Sequence, residues 1–168
     1  MEVKKRKQCF KPYNLINNQY VTIMWDFKPI TKTNASGETF ETPLATWQEY
    51  QFKYIPTLSE IKKVIIDYYN KEIDNKILTG LTWNNMSIWL STENQFNYKT
   101  AYDLCVQTNG EMLPIIFKFG DNENSIYYEF KDMEEFSDFY KTSVKFVQNT
   151  LQEGWLKKES INWNIYTK

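Results

Sequence analysis

Histidine is absent from this 168-residue sequence, and it has only 5 glycines and 2 cysteines. Without histidine the chain lacks the side chain most used for proton transfer near neutral pH, which is also the commonest metal ligand in proteins. Ser-His-Asp and Cys-His catalysis are therefore excluded within this chain. The few glycines form neither of the common phosphate-binding loops, G-x-x-x-x-G-K-[ST] or G-x-G-x-x-G. We therefore predict no catalytic, metal-binding or cofactor-binding residues.

The two cysteines, Cys9 and Cys105, stand far apart in the sequence. They form neither a C-x-x-C pair nor a disulfide framework, which is typical of a protein from a reducing compartment. Cys105 falls late in a predicted helix, where the helix dipole opposes a thiolate. We therefore interpret it as a buried, unreactive thiol.

Charge excess and long apolar runs are also missing. The formal net charge is -1 and the isoelectric point about 5.6, so no overall positive field favours nucleic acid as a partner. The longest apolar runs, such as residues 113–117, are far shorter than the roughly 20 residues that cross a bilayer. No apolar segment follows the basic start of the chain, so we expect neither an export signal nor a membrane partner.

Residues 1–56 differ in texture from the rest and predict a β-rich arm or docking segment. They contain eight basic against five acidic side chains and four of the five prolines. Residues 20–25 are rich in β-branched and aromatic side chains, and residues 47–54 alternate apolar with polar. These patterns are typical of strands. Residues 34–37 carry the turn residues between them.

Residues 57–168 predict a domain with the order α-ββ-α-ββ-α. Thr57 and Glu60 form a capping box that begins a helix reaching to about Asn75. Two strand-like runs, 77–83 and 86–90, meet at Asn84 and Asn85, which tolerate the positive φ of a tight hairpin. The whole chain is therefore predicted to be α+β with antiparallel hairpins.

The second half of this predicted domain repeats the pattern. A helix capped by Ser91 or Thr92 ends before Gly110, and a hairpin follows with strands at 112–119 and 126–130 and a turn at 120–125. Asp132 and Glu135 form a second capping box, and the last helix is predicted to end at Gly154. The tail beyond Gly154 keeps two tryptophans, so we expect it to dock on the fold.

The aromatic content, 17% of the chain, exceeds what filling a small core requires. Four tryptophans lie in predicted strands, whose outward faces can stay open for a partner: Trp25, Trp47, Trp83 and Trp89. Core packing explains each one singly, whereas the set favours a protein interface. A basic cluster at the start of the chain adds electrostatic assistance or serves as a solubilising terminus: Lys4, Lys5, Arg6 and Lys7.

A carboxylate pair of the glycosidase type is the alternative left open by composition, because five acids are available for it: Glu93, Glu129, Asp132, Glu134 and Glu135. Helix starts explain most of them, since Glu93 lies in a first turn and Asp132 and Glu135 form a capping box. An enzyme would need two acids facing each other across a cleft.

Residues 77–104 resemble an uncharacterised domain of phage and prophage proteins, found near tail-fibre genes, including those of gut Bacteroidales phages. A Gly-aromatic strand (Gly80, Trp83) precedes a second strand with Trp89 and Ser91 and then an acidic helix start. The start of that helix carries Glu93, Gln95 and Asn97. The similarity continues through residues 113–120, 127–130 and 153–155 and covers about residues 57–166.

This resemblance implies a non-enzymatic virion structural or accessory protein, such as an appendage, fibre or adaptor component. Its implied partners are other phage structural proteins and further copies of itself, as a dimer or trimer. The implied location is the virion, and the host cytoplasm during synthesis and assembly. A fibre-assembly chaperone and a protein that binds a host factor remain the alternatives.

Overall fold

The computed structural model describes residues 2–120 and 123–167, so Asp121 and Asn122 of the predicted turn at 120–125 lie outside the described residues. Helices and antiparallel strands alternate after a β-rich start, which confirms the predicted α+β class. The chain divides into two compact units. The first contains Met1–Tyr68 and Ile161–Lys168, and the second contains Tyr69–Ser160.

The helices and strands have the following bounds. The strands are β1 (Glu2–Arg6), β2 (Tyr13–Ile16), β3 (Tyr20–Thr33), β4 (Thr39–Phe52), β5 (Leu81–Trp83), β6 (Met86–Ile88), β7 (Ile115–Gly120) and β8 (Ser125–Phe130). The helices are α1 (Leu58–Thr79), α2 (Thr92–Gln107) and α3 (Met133–Glu159). Short 3-10 turns occupy Lys7–Cys9 and Trp163–Tyr166.

The first unit is built on a four-stranded antiparallel sheet with the order β1-β4-β3-β2. Its two central strands, β3 and β4, are long and form a hairpin, whereas β1 and β2 are short edge strands. Val21 and Ile23 on β3 are fully buried, as are Ile61 and Ile65 on α1. The apolar residues of the central strand and of the first half of α1 therefore form the core of this unit.

This unit is larger than the predicted arm of residues 1–56, for two reasons. Tyr68 on α1 packs its ring against Trp25, with 5.6 Å between centroids. Tyr166 in the tail donates a hydrogen bond from its buried hydroxyl to the carbonyl oxygen of Met24. The first half of α1 and the tail thus belong with the β-rich segment. The tail docks on the fold as predicted, and it does so on β3.

The predicted capping box at the start of α1 is formed. The backbone N–H of Thr57 donates to the Glu60 carboxylate at 2.7 Å, and the N–H of Glu60 donates to the Thr57 hydroxyl at 3.3 Å. The helix runs past the predicted end at Asn75, because the N–H of Gly80 still bonds to the carbonyl of Lys76. Residues 77–79, predicted as strand, are therefore helical.

The second unit has an aromatic core between two hairpins and two helices. Trp83 on β5 is buried and lies within 5.5 Å of the rings of Phe130, Phe139 and Tyr128, measured between centroids. The hairpin of β5 and β6 turns at Asn84 and Asn85, which both have positive φ as predicted. The buried rings of β7 and β8 therefore pack on α3.

The predicted cap of α3 is also present, but its predicted end is wrong. Asp132 accepts a hydrogen bond from the backbone N–H of Glu135 at 2.9 Å, and the helix then continues to Glu159. Gly154 lies inside the helix and does not end it. A Cβ atom at this position would collide with the side chain of Ile73. The close contact with Ile73, and not a helix end, therefore explains this glycine.

Candidate protein-binding surface

The hairpin of β3 and β4 extends beyond the part of the sheet that β1 and β2 cover. Strand β2 pairs only with Tyr20–Ile23 of β3, and β1 pairs with Leu44–Gln48 of β4. The hairpin continues to the pair Thr33 and Thr39 with no third strand beside it among the described residues. We call residues 27–41 the ribbon. All of them except Ile30 are exposed.

The tip of the ribbon is ordered by its own side chains. The Asn34 carboxamide oxygen accepts hydrogen bonds from the backbone N–H groups of Ser36 and Glu38, at 3.0 and 2.9 Å. Gly37 adopts φ +83°, a conformation that favours glycine. This is the turn that residues 34–37 predicted, and it closes the hairpin with a defined register.

The base of the ribbon bends at a β-bulge after Trp25. Asp26 has φ +54°, and the register between the two strands shifts between Trp25 and Lys28. The buried Asp26 carboxylate lies 2.7 Å from the ammonium group of Lys28 and accepts a hydrogen bond from the Tyr68 hydroxyl at 3.3 Å. Bulges bend and twist the strand that carries them, so these contacts set the direction in which the ribbon leaves the sheet.

The ribbon carries aromatic side chains at both ends. Phe27 at the base is partly exposed and packs against Phe10, with 4.9 Å between the centroids. Phe40 near the tip has 51% of its surface exposed. Charges of both signs accompany them, and the Lys7 ammonium contacts the Glu41 carboxylate. An exposed strand pair leaves backbone N–H and C=O groups unpaired, and its two phenylalanines belong to the residue class that is enriched in protein interfaces.

Three of the four tryptophans chosen from the sequence are not available to a partner. Trp25, Trp47 and Trp83 are buried, in contrast to the expectation of open outward faces. Trp47 and Trp25 lie on opposite faces of the sheet, and both faces are covered at these points, Trp47 by Phe10 and Trp25 by Tyr68. Trp89, with 48% of its surface exposed, is the one of the four that a partner can reach.

The basic cluster Lys4, Lys5, Arg6 and Lys7 is part of the fold and not a free terminus. The first three residues belong to the edge strand β1, and Lys7 begins the 3-10 turn that follows. The Lys5 ammonium lies 3.6 Å from the Glu49 carboxylate, and Lys7 contacts Glu41. These two ion pairs reduce the positive field that the cluster was expected to present, while Lys4 and Arg6 remain exposed.

The second unit exposes apolar side chains that the sequence patterns did not single out. Ile116 and Tyr127 lie on the outer face of the hairpin of β7 and β8, and both are exposed. Phe96 on α2 has 67% of its surface exposed. The signal that could have found Ile116 was the alternation in residues 115–119, because it places Ile116 on the other face of the strand from Phe117.

Three of the acidic residues considered for a carboxylate pair have other partners. Glu129 lies 3.3 Å from Lys131, Asp132 caps α3, and Glu135 accepts a hydrogen bond from the Tyr128 hydroxyl.

The described residues contain no group of three or more histidine, cysteine or acidic side chains placed to hold a metal ion. None of their helices has both the length and the apolar character needed to cross a membrane.

Comparison with known proteins gives no family for this chain. No protein-family model, no curated protein and no solved structure matches it.

Proposed function

We propose that this chain is a non-enzymatic accessory component of a bacteriophage particle that works by protein-protein binding, with the ribbon as its binding element. The sequence resemblance over residues 57–166 suggests the phage setting. The exposure of residues 31–41, whose paired strands have no third strand beside them among the described residues, is the observation that carries the binding role.

The physical argument starts from the low stability of an isolated strand pair. A two-stranded hairpin without packing on either face is marginally stable in water. Its unpaired backbone N–H and C=O groups also offer a template for a further strand. Covering such a strand pair with another chain therefore stabilises it. The bulge and the ordered turn hold the ribbon in one shape for that contact. Strand addition satisfies those backbone groups, and alternate side chains such as Phe40 then fit the partner.

The proposed partners are other virion structural proteins and further copies of this chain, as a dimer or trimer. A second copy fits the ribbon because the ribbon carries exposed charges of both signs, Lys32 on β3 and Glu38 just before β4. Two ribbons that pair antiparallel by β3 against β4 would bring charges of opposite sign together.

The test shortens the ribbon without disturbing the sheet. Thr31 and Glu41 are directly paired, so replacing residues 32–40 by Asn-Gly closes the hairpin with a two-residue turn. The wild-type chain and this variant are expressed in host cells during infection by the phage that encodes the chain. Quantitative mass spectrometry of the purified particles then measures the copies of each. Tyr127→Ser serves as the matched control, because it removes an exposed ring from the second unit.

We expect a fixed number of wild-type and Tyr127→Ser copies per particle, and at least a tenfold loss of the shortened variant, which still folds by circular dichroism. Equal incorporation of the shortened variant would rule out the ribbon as the binding element. Absence of the wild-type chain from particles would contradict a virion component and would favour the assembly-chaperone or host-factor role.

A further inference from the structure

A cavity of about 350 Å³ lies between α2 and α3 in the second unit, away from the ribbon. It is lined by Leu90, Gln95, Phe96, Tyr98, Lys99, Tyr140, Ser143, Val144, Val147 and Gln148. Leu90 and Tyr98 are buried, whereas Phe96 and Val144 are exposed, so the cavity runs from an open, apolar mouth to a closed interior.

Tyr98 has an unusual position in this cavity. Only 3% of its surface is exposed, and its ring packs against Phe117 and Phe139 at 4.9 and 5.0 Å. Its hydroxyl makes no hydrogen bond to any residue in the part of the chain that the structure describes. Among the described residues, the fully enclosed side-chain atoms without a partner are the indole nitrogens of Trp25 and Trp47. The Tyr98 hydroxyl is not one of them, so it can be reached from the cavity and can donate to an acceptor that enters it.

Two of the neighbouring polar groups are already engaged. The Ser143 hydroxyl donates to the carbonyl of Phe139 at 2.9 Å, and the Gln95 amide donates to the carbonyl of Leu90 at 2.8 Å. Tyr140 is half-buried and Gln148 is exposed, so Tyr98 is the donor at the buried end of the cavity. Burial raises its pKa to about 12, so it stays protonated and able to donate throughout the physiological pH range.

Charge restricts the occupant further. Lys99 is the one charged residue among those that line the cavity, and its ammonium group is paired with Asp103 on the same helix. A carboxylate or phosphate would enter an apolar interior without a cation to compensate for lost hydration, which is unfavourable. The cavity thus favours an uncharged molecule.

Size sets the last limit. The volume is more than twice the roughly 150 Å³ of an apolar cavity that holds benzene. It also falls within the range of small-molecule pockets, about 300 to 1,000 Å³. One or two rings, or a branched aliphatic group of similar size, fill it.

We propose that the cavity between α2 and α3 binds an uncharged, largely apolar small molecule whose carbonyl or ether oxygen accepts a hydrogen bond from Tyr98. This binding site goes beyond the proposed role of the ribbon and does not depend on it.

The test uses fluorinated probes and ligand-observed ¹⁹F NMR with the full chain. 4-Fluoroacetophenone offers a ring and a carbonyl, 4-fluoroethylbenzene has a similar shape without the acceptor, and 4-fluorobenzoate adds a negative charge. We expect the ketone to bind about threefold to tenfold more tightly than the hydrocarbon, the range that one net hydrogen bond gives. The benzoate should bind more weakly than either.

Two substitutions locate the site, each with a matched control. Tyr98→Phe keeps the ring and should abolish the preference for the ketone, whereas Tyr102→Phe, which removes a hydroxyl bonded to Ser137 outside the cavity, should keep it. Val144→Trp fills the mouth and should reduce binding of both uncharged probes at least tenfold. Val106→Trp, at another exposed position on α2, should not.

Three results would overturn the proposal. The first is no binding of either uncharged probe to the wild-type chain, which would mean that Tyr98 bonds to water alone. The second is binding that survives Val144→Trp with the ketone preference unchanged by Tyr98→Phe. The third is a shift in oligomeric state caused by Val144→Trp in native mass spectrometry, which would assign the cavity to a second copy.

Discussion

A Cβ atom on Gly154 of α3 would lie 2.2 Å from the Cδ1 atom of Ile73 on α1, closer than two carbon atoms can approach. Glycine inside a helix costs about 1 kcal/mol relative to alanine. Helices α1 and α3 can therefore approach closely at this point because Gly154 has no side chain.

Gly154→Ala should destabilise the second unit although alanine is the better helix former. Overpacking at such a contact costs about 1 to 3 kcal/mol, which exceeds the gain in helix propensity. Urea denaturation measures the free energy of unfolding, with the exposed Gln152→Ala as the control on the same helix. Adding Ile73→Ala to Gly154→Ala should make room and reduce the penalty of the glycine substitution. A more stable Gly154→Ala protein would refute the tight contact.

Substitutions of Asp26 should separate its charge from its backbone conformation. Asp26→Asn removes the ion pair to Lys28 but keeps a residue that tolerates positive φ, so we expect a loss of about 1 kcal/mol. Asp26→Val should cost about 1 to 3 kcal/mol more, since a β-branched residue is strained at φ +54°. The same loss for both variants in thermal unfolding would show that the bend imposes no backbone constraint. Lys32→Gln on the ribbon is the charge control.

Glu60 should make the first unit less stable in acid. Its pKa is lowered in the folded chain from the ordinary value of 4.5, chiefly by the hydrogen bond from the Thr57 backbone. The stabilisation is therefore complete above pH 4.5 and is lost as the pH falls through the lowered folded pKa. Thermal midpoints of wild type and Glu60→Gln, measured from about pH 7 to about pH 3, should converge at the acid end. Glu111→Gln, which makes the same charge change in a turn, should stay parallel to wild type.

The two cysteines should react with a thiol reagent at very different rates. Cys9 is exposed, whereas Cys105 is buried and its pKa is raised by burial. We expect Ellman's reagent to label Cys9 within seconds and Cys105 only when the second unit unfolds. In Cys9→Ser the remaining thiol should then report unfolding in urea. Rapid labelling of native Cys9→Ser would contradict the burial of Cys105.

The helix starts were predictable because their signals are local. Thr57 with Glu60 and Asp132 with Glu135 form hydrogen bonds within four residues, so the pattern contains all the interacting groups. The same holds for the turn at Asn84 and Asn85, where the backbone conformation favours asparagine. These elements therefore follow from the sequence without knowledge of the tertiary structure.

The sequence-based predictions that were wrong or missing concern features that depend on contacts between distant residues. Gly154 has the local signature of a helix end, but its role is set by Ile73, which no local pattern reveals. The exposed halves of β3 and β4 lack apolar alternation because neither face is buried, so their cross-strand pairing was not visible. The burial of Trp25 and Trp47 depends on Tyr68 and Phe10, which cover the two faces of the sheet.

The ribbon lies within the N-terminal segment that the sequence predicts to dock with a partner, and that role stays a prediction. The residues of the ribbon were not predicted. Phe40 was not selected because an isolated phenylalanine among polar neighbours reads equally as a core residue. The cavity beside Tyr98 could not be predicted, since its unpaired hydroxyl is visible only once the packing of α2 and α3 is known.

The hydrogen bond from Tyr166 to Met24 joins residues that are 142 positions apart. During translation, residues 69–160 leave the ribosome before Tyr166 does. The core of the first unit is therefore completed only after every residue of the second unit has been synthesised.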